Sequence, residues 1–111
     1  MDRQQQLERV LEQIMGVLVD KYAPQKVILF GSMVGGEIHE WSDIDLVIVK
    51  DTPKRFLARL KEVALLCRAP VGVDYLVYTP QEFEQLASDT SNPFFQREIL
   101  EKGQVLYEQP Q

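Results

Sequence analysis

The chain has 111 residues, of which 45% are hydrophobic and 26% are charged. A chain of this length and composition folds as one domain with a real core, and its charged fraction is too ordinary for a disordered chain. The net charge of −5 argues against a protein that binds nucleic-acid backbone directly, which would show a basic stripe. A small anionic ligand stays possible, because a bound metal ion would supply positive charge.

We expect a single domain over residues 1–108 and a loose tail over 109–111. The single cysteine, Cys67, excludes an internal disulfide, and its place in an apolar helical pattern indicates a small packed side chain. The first six residues are polar, and no apolar run approaches the ~20 residues that span a bilayer. These features favour a cytoplasmic protein without a membrane partner.

Apolar residues at helical spacing predict an amphipathic helix from about residue 3 to 22, which ends before Pro24. This helix either covers the core or binds a partner. Residues 26–30 form a continuous apolar run typical of a buried strand. Gly31-Ser32 then turns the chain, residues 33–37 form a helical turn or two, and a polar loop follows. The apolar face of the first helix consists of Leu7, Val10, Leu11, Ile14, Met15, Leu18 and Tyr22.

Asp43 to Lys50 is predicted to be the next strand, with alternating faces. Thr52 and Pro53 are typical of an N-cap and a first helical residue, so a helix is predicted from there to about Arg68. Its predicted inward residues are Phe56, Leu57, Leu60, Val63, Ala64 and Cys67.

The last third contains a strand over 71–78, a short helix after Thr79, a further helix capped by Asn92 and a final strand over 104–107. Thr79 and Glu82 have the spacing of a capping box. The last helix is predicted to bury Phe94 or Phe95, together with Ile99 and Leu100. Alternating helices and strands indicate an α/β (α+β) protein with a small mixed β-sheet flanked by helices.

Three aspartates stand out as candidate metal ligands. Asp43 and Asp45 are two apart on a strand, so their side chains leave the same face about 7 Å apart. Like charges this close are tolerated best with a hard dication between them, although Asp43 could simply begin the strand. Asp74 lies in an apolar strand, where a carboxylate is costly unless it is paired or binds metal. If the two strands are neighbours, the three carboxylates can hold two Mg²⁺ ions; alternatively, Asp74 is a hydrogen-bonded structural carboxylate.

Gly31 and Ser32 are candidates for binding phosphate. Backbone N–H groups at the end of a strand and the start of a helix point at an anion, glycine allows close approach of the backbone, and Ser32 adds a hydroxyl. The alternative is an ordinary turn capped by serine. Gly35-Gly36 fits a tight turn under either interpretation.

The order and spacing of these features resemble the DNA polymerase β-like nucleotidyltransferase superfamily, most of all its small stand-alone members, the minimal nucleotidyltransferase (MNT) domains. Residues 42–46 are similar to the family's form of the second motif, and Asp74 falls where the family places its third carboxylate. The ending, residues 99–108, is similar as well, so the resemblance covers nearly the whole chain. The pattern of Gly-Ser, ten residues and Asp-x-Asp is met at Gly31, Ser32, Asp43 and Asp45.

The resemblance implies a polymerase β palm-like fold in which Ser32 and its neighbouring backbone hold a nucleoside triphosphate. It implies that Asp43 and Asp45 bind Mg²⁺. Asp74 would bind the catalytic metal and help to deprotonate an acceptor hydroxyl, which attacks the α-phosphate and expels pyrophosphate.

One position departs from the family pattern. Many relatives carry Ala-Arg-Gly where this chain has Val34, Gly35 and Gly36, so a phosphate-facing arginine is absent and no nearby lysine or arginine replaces it in the sequence. In the loop between the motifs, His39 is predicted to be a solvated residue, with a role near the site as the alternative. Trp41 is predicted to pack, or else to stack on a base or receive a partner.

We weigh three functions. The first is Mg²⁺-dependent transfer of AMP from ATP to a hydroxyl of a partner protein or a second subunit. The resemblance implies a specific form, an antitoxin that adenylylates a tyrosine of a small helical HEPN toxin; the acidic charge suits a more basic partner. The second is a catalytically weak or inactive module that neutralises its partner by contact. The third is nucleotide transfer to a small molecule such as an aminoglycoside.

Overall fold

The computed structural model describes residues 2–110, so the outermost residues of the predicted domain and tail, 1 and 111, lie outside it. Four strands form one mixed sheet in the order β3-β2-β1-β4. β1 pairs antiparallel with β2 and with β4, whereas β2 and β3 are parallel. The predicted fold class is confirmed. The strands are β1 (Lys26–Phe30), β2 (Ile44–Val49), β3 (Val73–Tyr78) and β4 (Gln104–Glu108).

Five helices surround this sheet. The first predicted helix is confirmed, but its last turn, Leu18–Tyr22, widens into a π-helix. The capping box at Thr79 is also confirmed, because Thr79 Oγ1 accepts from Glu82 N and Glu82 Oε1 accepts from Thr79 N. Within residues 2–110, no helix is long and apolar enough to cross a bilayer. The helices are α1 (Arg3–Val17), α2 (Ser32–Gly35), α3 (Phe56–Cys67), α4 (Pro80–Ser88) and α5 (Phe95–Glu101), which is a π-helix.

Each face of the sheet packs against its own set of helices. On one face, α1 and α3 cover the larger core cluster. On the other face, α4 and α5 cover a smaller cluster in which Phe95 and Ile99 pack against Ile28, Phe30 and Val47. Because α5 covers only part of this second face, one end of β2 and β3 is left open to ligands. The larger cluster includes Leu7, Ile14, Leu18, Val27, Leu46, Val63 and Val77.

The prediction for α3 is partly wrong. The helix starts at Phe56, because Thr52 Oγ1 accepts from Lys54 N (3.2 Å) and caps a local turn instead of the helix. Three of the predicted inward residues, Leu60, Val63 and Cys67, do pack in the larger core cluster, whereas the other three are exposed. Leu57 is 77% exposed and Arg59 only 6% exposed. Phe56 and Ala64 are also exposed.

The widened turns of α5 change which residues point inward. Phe95 and Ile99 are buried, as predicted for one of the two phenylalanines and for Ile99. Phe94 and Leu100 are exposed, so the predicted burial of Leu100 is wrong. The reason is geometric: a π-helix has more residues per turn, so an inward face predicted for an α-helix does not hold along it.

Arg59 ties α3 to β3 and α4. Its Nη1 donates to Val77 O (3.1 Å) and to Glu82 Oε1 (2.6 Å), and its Nε donates to Lys54 O (2.7 Å). The hydrogen bond from Arg59 is the main cause that lowers the pKa of Glu82. A charged side chain is tolerated at this buried position because its donors are satisfied.

We predict that Arg59→Ala lowers the free energy of unfolding by about 2–4 kcal/mol, because Val77 O and Glu82 lose a charged donor. Lys61→Ala removes an exposed cation from the same helix and should change stability by at most ~0.5 kcal/mol. Urea unfolding followed by circular dichroism measures both. Equal effects of the two variants would show that Arg59 does not tie these elements together.

Candidate active site

Strand register brings two of the predicted carboxylates together. Asp45 of β2 is the register partner of Asp74 of β3, and their side chains lie within hydrogen-bonding reach of each other. Parallel neighbours lie ~4.8 Å apart, so the two like charges cannot separate without loss of the strand pairing. The condition for bringing carboxylates of the two strands together, that the strands are neighbours, is therefore met.

Asp45, not Asp74, has the costly position in the sheet. The pKa of Asp45 is raised to about 7, mainly by burial and in addition by the nearby carboxylates of Asp74 and Asp43. Asp74 lies on the edge strand and is exposed. The argument that Asp74 is expensive in an apolar strand is therefore wrong, because the outer edge of β3 gives its carboxylate access to water.

The third carboxylate, Asp43, is turned away from this pair. Its Oδ1 lies 3.8 Å from Arg3 Nη2. It also packs against Gly72, where a Cβ would come within 2.6 Å of Asp43 Oδ1. Among residues 2–110, no three histidine, cysteine, aspartate or glutamate side chains are gathered for a metal ion. The structure thus brings Asp45 and Asp74 together and leaves Asp43 beside them, near enough to act on the charge of Asp45.

Gly31 is required both for the turn after β1 and for the position of Asp45. Its φ of +81° is in the region that favours glycine. A Cβ at Gly31 would meet Asp45 Oδ2 at 2.1 Å, so the carboxylate lies directly against the glycine backbone. Ser32 begins the single turn of α2 immediately beyond. The predicted phosphate residues and the predicted metal residues are therefore contiguous in space.

Two adjoining cavities surround these residues. The first, of about 690 Å³, is bordered by Gly31, Ser32, Gly35 and His39. The second, of about 930 Å³, is bordered by Asp45, Asp74 and Phe94. Gly31 and Glu98 border both cavities. A ligand that reaches from Ser32 to the carboxylates would therefore pass Gly31 and Glu98.

His39 and Trp41, in the loop between the Gly-Ser and Asp-x-Asp motifs, are both exposed. His39 Nδ1 accepts from Trp41 N (3.3 Å), and the His39 side chain borders the first cavity, in line with both the solvated position and a place near the site. Trp41 is 79% exposed, so the prediction that it packs is wrong. Ser42 fixes the loop instead, because its buried Oγ accepts from His39 N (2.9 Å).

Sequence reasoning missed three residues that border the cavities: Phe94, Glu98 and Lys102. They lie on or beside α5, far along the chain from the Gly-Ser and Asp-x-Asp motifs. The predicted helix could not show which of its side chains face the cavities, because this depends on the π-helical geometry of α5.

The carboxylate pair fits a magnesium ion. Oxygen ligands from one or two carboxylates, completed by water and phosphate, are what Mg²⁺ prefers. The raised pKa of Asp45 reflects an electrostatic conflict with its neighbours that a dication would relieve. The donor set and the electrostatics therefore suit a magnesium ion, which Asp45 and Asp74 would hold.

Two known proteins are similar to this chain in sequence. A relative from Methanocaldococcus jannaschii, assigned as protein adenylyltransferase MJ0604, is 35% identical over 90% of this chain and 97% of its own length. The protein adenylyltransferase MntA assigned in Haemophilus influenzae is 36% identical over 69% of this chain and 68% of its own length.

Solved structures share the fold. A nucleotidyltransferase from Sulfolobus solfataricus superposes with a TM-score of 0.67 at 17% identity, over 96% of this chain and 84% of that one. A chain of a toxin–antitoxin complex with AMP-PNP superposes with a TM-score of 0.55 at 22% identity, over 88% of this chain and 73% of that one. The model of the family "Polymerase beta, Nucleotidyltransferase" matches residues 12–111. With this match and the identity to curated relatives, the chain belongs to the polymerase β nucleotidyltransferase family.

Proposed function

We propose that this protein transfers AMP from ATP to a tyrosine hydroxyl of a small helical HEPN-type toxin, with Mg²⁺, and so acts as its antitoxin. The observation that carries the proposal is the Asp45–Asp74 pair, in register and joined to the Gly31-Ser32 cavity through a shared wall. The names of the curated relatives support transfer to a protein. The toxin–antitoxin complex with AMP-PNP supports the partner class and the nucleotide.

Each group has a separate task in this proposal. Asp45 and Asp74, together with Asp43 after rotation of its side chain, would hold magnesium. The ion supplies Lewis-acid stabilisation of charge on the phosphate oxygens and on the attacking oxygen. Gly31 and Ser32 would border the triphosphate. Asp45 is half buried, so its low-dielectric surroundings screen its charge little and its attraction for the ion would be strong.

Asp74 would accept the proton of the acceptor hydroxyl at one of its carboxylate oxygens. The acceptor oxygen then forms a bond to the α-phosphorus, the bond from that phosphorus to the bridging oxygen breaks, and pyrophosphate leaves. The exposed edge position of Asp74 supports this assignment, because a tyrosine carried by another protein must reach it from solvent. The adjoining Phe94 ring is half exposed and could contact the incoming aromatic side chain.

We predict that Asp45→Asn and Asp74→Asn each reduce AMP transfer at least ~100-fold, because loss of a metal-binding carboxylate removes several kcal/mol of transition-state stabilisation. The assay incubates the protein with ATP labelled at the α-phosphate, Mg²⁺ and the product of the neighbouring gene as the candidate toxin, and follows label on that product. Asp51→Asn, an exposed aspartate beyond the other end of β2, is the matched control and should retain activity.

The toxin tyrosines are then replaced by phenylalanine one at a time, to identify the acceptor. Absence of labelled toxin with the wild-type protein, together with full neutralisation by Asp45→Asn, would refute transfer and favour neutralisation by contact. Label on an aminoglycoside but not on the toxin would favour the small-molecule reaction.

Asp45 also predicts a pH dependence of stability. Its pKa is about 7 in the folded protein and near 3.8 in the unfolded chain, so the folded state binds this proton more tightly. Ionisation of Asp45 therefore destabilises the fold as pH rises from about 4 to about 7, and stability is highest below this window. Since Asp45 is only half buried, solvent screening reduces the effect to about 1–2 kcal/mol.

We predict that Asp45→Asn is more stable than wild type by about 1–2 kcal/mol at pH 8 and loses this advantage near pH 4. Mg²⁺ should raise the stability of wild type at pH 8 and have little effect on Asp45→Asn, since a ligand stabilises only the state that binds it. Denaturant unfolding at the two pH values, with and without Mg²⁺, measures both effects. An advantage of Asp45→Asn that is equal at both pH values would contradict the assignment.

A further inference from the structure

Lys102 is the one permanent cation among the described residues that border the two cavities of the candidate site. It lies on the wall of the 690 Å³ cavity, together with Gly31, Ser32 and Gly35. Asp45, Asp74 and Glu98 make the rest of the cleft acidic. Among these lining residues, Lys102 is therefore the one permanently charged cation that a polyanionic ligand in this cleft would meet.

The backbone of Lys102 is held firmly beside the cavity. Lys102 caps α5, and its N–H donates to Arg97 O (3.0 Å). Ile99, only 1% exposed, anchors the helix in the core. The next residue, Gly103, has no room for a side chain, since a Cβ would lie 2.2 Å from Ile99 O and 2.8 Å from Ile28 Cγ2. The helix end thus fixes the backbone position of Lys102, while its long side chain can still change rotamer.

The present partner of Lys102 is easily replaced. Its Nζ lies 3.5 Å from Glu98 Oε1, and the Lys102 side chain is 61% exposed. An exposed pair of this kind holds only weakly. Glu98 sits on the wall shared by the two cavities, so this contact keeps the ammonium group close to the cleft. A phosphate group would offer the Lys102 ammonium group an ion pair of the same kind, with more negative charge than the Glu98 carboxylate.

We propose that Lys102 binds the β- or γ-phosphate of the nucleoside triphosphate, and that Glu98 holds its side chain in place until the nucleotide arrives. This inference rests on the proposed nucleotidyltransferase function and identifies the cation of its phosphate site. Lys102 would supply the positive charge at the phosphates that an arginine supplies in many relatives and that Gly35 cannot supply. It reaches the same cavity from the opposite end of the chain.

The test is calorimetric binding of ATP and of AMP to wild type, Lys102→Ala and Lys102→Arg, with Mg²⁺. Loss of one charged contact should weaken ATP binding about tenfold in Lys102→Ala and leave AMP binding unchanged. Lys102→Arg keeps the charge and should stay close to wild type. Lys61→Ala, which removes an exposed lysine outside both cavities, should bind ATP as wild type does.

A second variant restores the charge from another direction. Gly35 borders the same cavity, and a Cβ there meets nothing within 4 Å, so the backbone has room for a side chain to start at this position. The double variant Lys102→Ala/Gly35→Arg should regain most of the lost ATP affinity. Recovery would show that a cation in this cavity, and not the structure around Lys102, determines the affinity.

The inference is overturned if Lys102→Ala binds ATP as tightly as wild type, or if it loses AMP and ATP affinity equally. In both cases ATP binding by wild type keeps the proposed function standing. If wild type binds no ATP with Mg²⁺, the proposed function itself fails and the role of Lys102 fails with it. The three results are distinct in one set of titrations.

Discussion

The parallel pairing of β2 with β3 is the constraint on which the candidate site depends. It sets Asp45 and Asp74 side by side, and the pKa of Asp45 records what this costs. The apolar residues on the other face of the same strands bury the larger core and keep the register fixed. A one-residue shift of either strand would turn its carboxylate into that core. The fold therefore holds an electrostatically unfavourable pair in place through packing on the opposite face.

The charges of the cleft fall into two groups that complement a metal-bound nucleotide. Carboxylates from the sheet lie at one end, and the glycine-rich turn with Lys102 lies at the other. The positive side chain lies at the end of α5, and the carboxylates of Asp45 and Asp74 come from the strands. The relative position of the two ends thus depends on how α5 packs on the sheet, mainly through Phe95 and Ile99.

Much of this arrangement could be predicted from the sequence, because it follows local rules. The apolar run before Gly31 identifies β1, the capping box identifies α4, and strand alternation places Asp45 and Asp74 on definable faces. Residues outside these local patterns could not be predicted. Arg59 is buried because its charged side chain finds hydrogen-bond partners, which an apolar pattern does not show, and Lys102 reaches the cavity at the end of a π-helix. The exposure of Asp74 could not be predicted, because the sequence does not show that β3 forms the edge of the sheet.

Two glycines accommodate the two aspartates of the Asp-x-Asp motif. Asp45 lies against Gly31 and Asp43 lies against Gly72, each in the space where a side chain would otherwise stand. The motif thus depends on two pairs of positions that are distant in sequence and adjacent in space. In a comparison of descendants or laboratory variants, a larger residue at Gly72 would affect the site as directly as a change at Asp43. Loss of function can therefore begin at a position that carries no functional group.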